Sequence, residues 1–356
     1  MTYLLSFIVV LGILIFVHEF GHFIVARKLG VGVTKFAFGF GPKLFGVKRG
    51  ETEYLLCAIP LGGYVNLVGG EGNDEEEVPP EMAARSFLTK PIWVKIAVIA
   101  AGSAGNLIFA VFAFWIVFLG GVPMLSPKIG QVLEGSPAAV AGLVQGDTVV
   151  QIDGNRIENW DDLAGRIRAG STERPLVMTI VRDGVEKTVS VTPEMKEGQT
   201  IFGEKVLEPK IGIASGSEVI YRKTNVLSAG WQSLRETGRL IYLTGLTVVK
   251  LVTRVLPSNT LGGPILIAQM AGDQARQGAP AFIFFLGLLS VNLGVLNLLP
   301  IPILDGGHIV LFAIEGLLGR PLSMRTRWVA QRIGLAFILM LTALVFYNDI
   351  VRLLAR

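Results

Sequence analysis

His18, Glu19 and His22 fall in the spacing H-E-x-x-H. On a helix, residues four apart lie about one turn apart on the same face. Both imidazoles can then reach one zinc ion at about 2 Å. Glu19 stands about 100° further round, close enough to reach a water at the metal rather than the metal itself. Its chemistry there is that of a general base, with the zinc lowering the water's pKa to about 7 and polarising a carbonyl. A plainer reading pairs the two histidines with each other and Glu19 with Arg27 or Lys28. The surroundings weigh against it. The cluster sits inside the apolar run 3–26, and the chain has only three histidines. Each ionisable group near mid-bilayer costs about 3 kcal/mol on insertion scales. A cluster of such groups calls for a compensating partner, and a metal is one.

A catalytic zinc takes three protein ligands and leaves one position open. The stretch "NLLPIPILDGGH", 297–308, offers Asn297, Asp305 and His308. Pro300 and Pro302 interrupt a helix there, and Gly306 and Gly307 permit close backbone approach. A carboxylate in an apolar, helix-broken segment is a functional candidate. Asp305 is therefore the favoured third ligand, with His308 as its rival and a plain turn residue as the alternative role for Asp305.

Four apolar runs are long enough to position these groups in a bilayer: 3–26, 93–120, 281–303 and 329–351. The first lacks a basic flank before it and a small-residue cleavage site, so it reads as a retained span rather than a signal peptide. Lys and Arg gather in 27–95 and again at Arg320, Arg325 and Arg327. The positive-inside rule makes those segments cytoplasmic and puts both termini and the 121–280 segment outside. His18, His22 and Asp305 would then meet toward the cytoplasmic side. The net charge is only +4, and no basic tract is long enough for nucleic acid. With Cys57 as the one cysteine, neither an intramolecular disulfide nor a cysteine zinc cluster can form.

The segments between the spans differ in kind. Residues 31–70 alternate β-prone pieces with glycine turns and read as hairpins, some apolar enough to associate with the membrane. The acidic run 74–77 reads as a solvated loop. Residues 128–195 form a compact domain with tight turns at Asp153-Gly154 and Asp183-Gly184. Its pattern around Ser136-Pro137, Ala141-Gly142 and Gly146-Asp147 resembles the PDZ domains of bacterial envelope proteases. Residues 219–256 read as a helix with Arg235, Arg239, Lys250 and Arg254 on one face. That stripe suits an amphipathic helix on the outer membrane surface better than a fifth span.

HEFGH together with N-x-x-P-x-P-x-L-D-G-G-H, flanking a single PDZ-like domain, resembles the site-2 protease family of intramembrane zinc metalloproteases, in its bacterial RseP-type branch. The resemblance covers essentially the whole chain. It implies Zn2+ as cofactor, His18, His22 and Asp305 as its ligands, and Glu19 as catalytic acid/base. It suggests substrate-positioning roles for Asn297, for Asn106 in "GSAGNLIFA", and for Gly263 and Pro264 in "NTLGGPILIA". In that second-span element Ser103 stands where proline is common in the family. Gly62 and Gly63, within 59–67, lie where an unwound substrate could add as a strand.

The implied architecture is an α-helical polytopic membrane protein of about four spans with membrane-associated β-hairpins and an inserted PDZ domain. Its parts are an N-terminal membrane core (1–120), a periplasmic PDZ domain (121–200), a periplasmic helix and substrate-facing segment (201–280), and a C-terminal membrane core (281–356). The implied function is regulated intramembrane proteolysis at a bacterial inner membrane. The implied partners are the lipid bilayer, a single-pass substrate such as an anti-sigma factor or a remnant signal peptide, and an upstream periplasmic protease that cuts first. Two alternatives come from other classes: a catalytically silent PDZ scaffold and a metal transporter.

Overall fold

The computed structural model describes residues 2–70, 80–200, 204–222 and 224–355. The acidic run at 74–77 lies outside them. The chain divides into two units, one of Met1–Phe118 with Leu227–Arg356, the other of Leu119–Val226.

In the first unit, α1 (Thr2–Lys28) is predominantly apolar, long enough to cross a membrane, and interrupted by His18, Glu19 and His22. Strands β1 (Val33–Arg49) and β2 (Thr52–Leu67) follow. They do not make one long hairpin. Each folds back on itself, so that residues 33–40 pair with 59–67 on one side and with 52–57 on the other, while 43–49 pair with 52–57. Gly39 and Gly41, with φ of +89° and +84°, make the fold in β1. The result is a four-stranded arrangement in the order 59–67, 33–40, 52–57, 43–49, with the two central segments parallel, the outer pairings antiparallel and 59–67 along one edge. Helix α2 (Ile92–Leu119) then runs through 28 residues without an acidic side chain.

The second unit contains β3 (Val122–Leu125), β4 (Ile129–Val132), α3 (Pro137–Val140), β5 (Thr148–Ile152), β6 (Asn155–Arg156), α4 (Trp160–Ala169), β7 (Leu176–Arg182) and β8 (Val185–Val191). It continues through β9 (Glu194–Gln199), β10 (Lys205–Lys210), β11 (Ile213–Ser215) and β12 (Val219–Arg222). The main sheet has the order β6-β5-β7-β8, and β11 and β12 return to pair with β4 and β3. Residues 219–222, read from the sequence as the start of a helix, are therefore strand. Both Asp-Gly turns have positive φ at the aspartate and at the glycine, the type I′ signature of a tight hairpin. Met178 and Ile180 of β7 and Leu163 of α4 are fully buried in the core. β8, at the sheet edge, stays largely exposed apart from Val191.

Asp147 is fully buried in this unit. It accepts hydrogen bonds from Arg182 Nε at 2.7 Å, Arg182 Nη2 at 2.8 Å and Val144 N at 2.9 Å. Burial alone would raise its carboxyl pKa, but the Arg182 hydrogen bonds, the Val144 N–H and the Arg182 charge outweigh it and hold the group below its ordinary value. The contribution to stability is thus complete above the unfolded carboxyl pKa of about 3.9 and lost as pH falls through the lower folded value. Asp147→Asn is expected to lower the unfolding midpoint of this unit at pH 7. The gap from wild type should close as pH drops below about 4. Thermal unfolding of both proteins across that range checks it, and a gap that widens in acid would contradict the ion-pair account.

The remaining helices belong to the first unit: α5 (Val226–Val252), α6 (Pro264–Gln277), α7 (Ala279–Asn297), α8 (Asp305–Leu318) and α9 (Met324–Leu354). The helices α1, α2, α7 and α9 are long and apolar enough to cross a membrane; α5 is not among them. The third of these ends at Asn297, short of the expected 303, because the chain leaves the helix ahead of Pro300 and Pro302 and restarts one at Asp305. α5 buries a stripe of Ala229, Ser233, Thr237 and Leu240. Asp349 of α9 is buried and accepts from the backbone N–H groups of Gly263, Ile265 and Leu266 at 2.9, 2.9 and 3.1 Å. It thereby satisfies the first turn of α6, whose donors have no partner within their own helix.

Candidate metal centre

Helix α1 presents His18 and His22 one turn apart, and their rings lie 4.8 Å apart, edge to face. Their Nε2 atoms are 3.3 Å apart. Asp305, at the first position of α8, places Oδ2 3.4 Å from His18 Nε2 and Oδ1 3.7 Å from His22 Nε2. Two donors on one tetrahedral zinc, each about 2.0–2.1 Å away, lie about 3.3 Å from one another. The 3.3 and 3.4 Å separations match that edge length, the 3.7 Å one, made by the other carboxylate oxygen, lies somewhat above it, and the donor set of two imidazoles and one carboxylate suits zinc. The residues present fit the metal.

Glycines make the approach possible. A Cβ on Gly21 would lie 2.2 Å from the Ala101 carbonyl oxygen, and one on Gly102 would lie 2.3 Å from His22 Nε2. The backbones of α1 and α2 therefore come together at the level of the histidines, as small residues allow in membrane helix pairs. On the opposite wall, a Cβ on Gly306 would strike the Leu298 carbonyl at 2.2 Å. The first turn of α8 is thus pressed against the broken segment 298–302, which holds Asp305 inward.

A second set of contacts surrounds the cluster. His22 Nδ1 is 2.8 Å from the Val98 carbonyl, which makes Nδ1 the protonated nitrogen and leaves Nε2 free to ligate. Ser103 Oγ donates to Asp305 Oδ2 at 3.2 Å. The Asn106 amide lies 3.4 Å from His18 Nδ1, and Asn297 Nδ2 lies 3.4 Å from His18 Nε2. Glu19 faces the backbone of β2 near Val65. Gly63 lies against it as well, since a Cβ there would be 3.2 Å from Glu19 Cγ.

Asn297, Asn106 and Gly63 are therefore gathered around the cluster. Gly62 is packed beneath the Phe40 ring, where a Cβ would be 1.8 Å from Cε2. The Gly263 N–H is taken by Asp349, and among the described residues no hydrogen bond joins Gly263 or Pro264 to His18, Glu19 or Asp305. His308 is not part of the three-residue cluster; it lines a separate cavity of about 200 Å³ with Asn66, Phe87 and Phe312. Sequence reasoning noted Ser103 only as a departure from a family pattern and did not single out Gly102. The signal for both was the run of small residues in "AAGSAGN", which marks a helix face that another backbone can reach.

The family model of Peptidase family M50 matches residues 6–341. A protein of Mesorhizobium japonicum named as a zinc metalloprotease is 36% identical over 363 residues, covering 98% of each chain. One of Agrobacterium fabrum with the same kind of name is 38% identical, covering 98% of this chain and 95% of its own. The regulator of sigma-E protease RseP of Salmonella typhimurium is 32% identical over 447 aligned positions, covering 98% of each. That alignment is longer than the 356 residues here, so the Salmonella protein carries sequence without a counterpart in this chain.

Proposed function

We propose, from the premise that this chain belongs to peptidase family M50, that it is an endopeptidase working inside the bilayer, with His18, His22 and Asp305 holding its metal. The protein is a zinc metalloprotease of a membrane-protein family. The observation that carries the finer reading is the convergence of two imidazole nitrogens and one carboxylate at close to tetrahedral spacing, the imidazoles on a helix apolar enough to cross a membrane. A silent scaffold has no use for that spacing, and a metal transporter would also need a polar path across the bilayer, of which the spans 93–120 and 329–351 contain little.

Bound there, zinc lowers the pKa of a water to about 7 and polarises a carbonyl. The chain's own groups do the rest. Glu19 takes the proton of the attacking water on its carboxylate and returns it to the leaving amine nitrogen. The Asn297 amide N–H groups, beside His18, donate to the carbonyl oxygen as negative charge develops on it. The 59–67 edge pairs with the substrate backbone, which must be extended because a helix hides its carbonyls. Glu19 lies against that edge at Gly63, so a paired substrate lies next to the base.

The substrate is a single-pass membrane protein of the anti-sigma-factor type, or a remnant signal peptide, after a first protease has trimmed its outer part. Residues 121–200 form a periplasmic PDZ domain, the chain sits in a bacterial inner membrane, and the metal lies toward the cytoplasmic side. The basic residues of 27–95 support that orientation. The test is reconstitution of the purified chain with a single-pass protein, either intact or with its outer domain removed. The trimmed form is expected to give a shorter, membrane-released product that a zinc chelator abolishes. Equal cleavage of both forms would refute the two-step order, and product formation indifferent to chelator would refute the metal mechanism.

A further inference from the structure

We propose that Ser103 is a positioning residue that holds Asp305 in the orientation needed to grip the metal, so that α2, which supplies no ligand, acts as the outer shell of the centre. The inference rests on the metal site argued above and adds a residue to it.

Ser103 is fully buried in the middle of α2. A serine inside a helix commonly turns its hydroxyl back to a carbonyl in the preceding turn. Here Oγ reaches across to α8 and donates to Asp305 Oδ2. That oxygen is the one closest to His18 Nε2, while Oδ1 is the one closest to His22 Nε2. An aspartate carboxylate turns broadly about its terminal torsion. A donor fixed on one oxygen selects the rotation in which the two oxygens face the two imidazoles. Gly294 of α7 packs over this turn, since a Cβ there would lie 3.1 Å from the Ser103 carbonyl.

The same helix holds the other two members of the cluster. The Val98 carbonyl accepts from His22 Nδ1, and the Asn106 amide meets His18 Nδ1. Val98, Ser103 and Asn106 fall within about 12 Å of helix rise. Each of the three metal-facing side chains therefore has one partner on α2, and Ser103 is the one directed at the carboxylate. Partners of this kind fix ligand orientation, and their loss commonly costs 10–100-fold in metal affinity.

Zinc affinity of the full chain in detergent, measured by competition with a chromophoric chelator, tests the assignment without any proteolysis assay. Ser103→Ala and Ser103→Val are expected to bind zinc about 10–100-fold more weakly than wild type, and Ser103→Thr, which keeps the hydroxyl, to bind nearly as wild type does. Helical content of the apo-proteins by circular dichroism is expected to be alike for Ser103→Val and Ser103→Thr, which have nearly the same shape. Wild-type affinity in both hydroxyl-free variants, or affinity in Ser103→Thr as weak as in Ser103→Val, overturns the proposal. Should Ser103→Ala fail to fold, the valine and threonine pair still decides it. Absence of stoichiometric zinc from wild type would instead overturn the metal site itself, so the two failures are told apart.

Discussion

Glu19→Gln is expected to slow peptide-bond cleavage by about 10²–10⁴-fold, the range for loss of a positioned general base, while zinc content stays at the wild-type level. Glutamine has nearly the shape of glutamate, so the wall formed by β2 at Gly63 should not shift. It cannot take a proton from water at neutral pH. Glu19 also stands outside the cluster of three donor atoms, so the metal keeps its ligands. The two readouts therefore separate: rate falls, metal remains. Quantitative blotting of a co-expressed substrate measures the first, and metal analysis of the purified protein the second. Cleavage at an undiminished rate would remove Glu19 from the chemistry. Joint loss of zinc and rate would make it a ligand or a structural residue instead.

Gly102→Ala is expected to abolish tight zinc binding, although it adds one methyl group at a position that is not a ligand. The new Cβ would lie 2.3 Å from His22 Nε2, 2.6 Å from its Cε1 and 2.7 Å from His18 Cε1. Atoms cannot remain that close, so either the rings or the helices must move. The rings have little freedom, because His22 Nδ1 is held by the Val98 carbonyl. The helices have little either, because Gly21 already brings α1 against the Ala101 carbonyl. Overpacking of this kind costs about 1–3 kcal/mol, which a chain of this size can survive. The ring displacement it forces moves both nitrogens off the tetrahedral spacing. The expected loss of zinc affinity exceeds the 10–100-fold typical of outer-shell changes, with helical content by circular dichroism unchanged. One zinc per chain retained in Gly102→Ala would show that the two helices are not locked together as described.

Parts of the centre were legible in the residues alone because they depend on local rules. Two histidines four apart on a helix share a face wherever that helix goes. Asp305 was visible because a carboxylate stood between helix-breaking prolines and a pair of glycines. The four apolar helices followed from length and composition. What was not legible depends on which backbone meets which. The small residues of α2 permit a close crossing, but only the packing shows that α1 is the partner and that Ser103 points to Asp305. The double folding of β1 and β2 required positive φ at Gly39 and Gly41, and their sequence context reads equally well as successive simple hairpins. Gly263 was placed near substrate by resemblance. Its N–H is taken by Asp349, a residue more than eighty positions later that nothing in the local sequence links to it.

On the proposed assignment, the grip on the metal is divided between a helix near the beginning of the chain and a carboxylate near its end. During synthesis the two imidazoles are therefore made long before Asp305, and Asp349, which secures α6, is made later still. A nascent chain on the ribosome holds an incomplete set of donors until most of it has been translated. The enzyme is in that sense born unarmed, and it gains its cutting power only when the last membrane helices have joined the first.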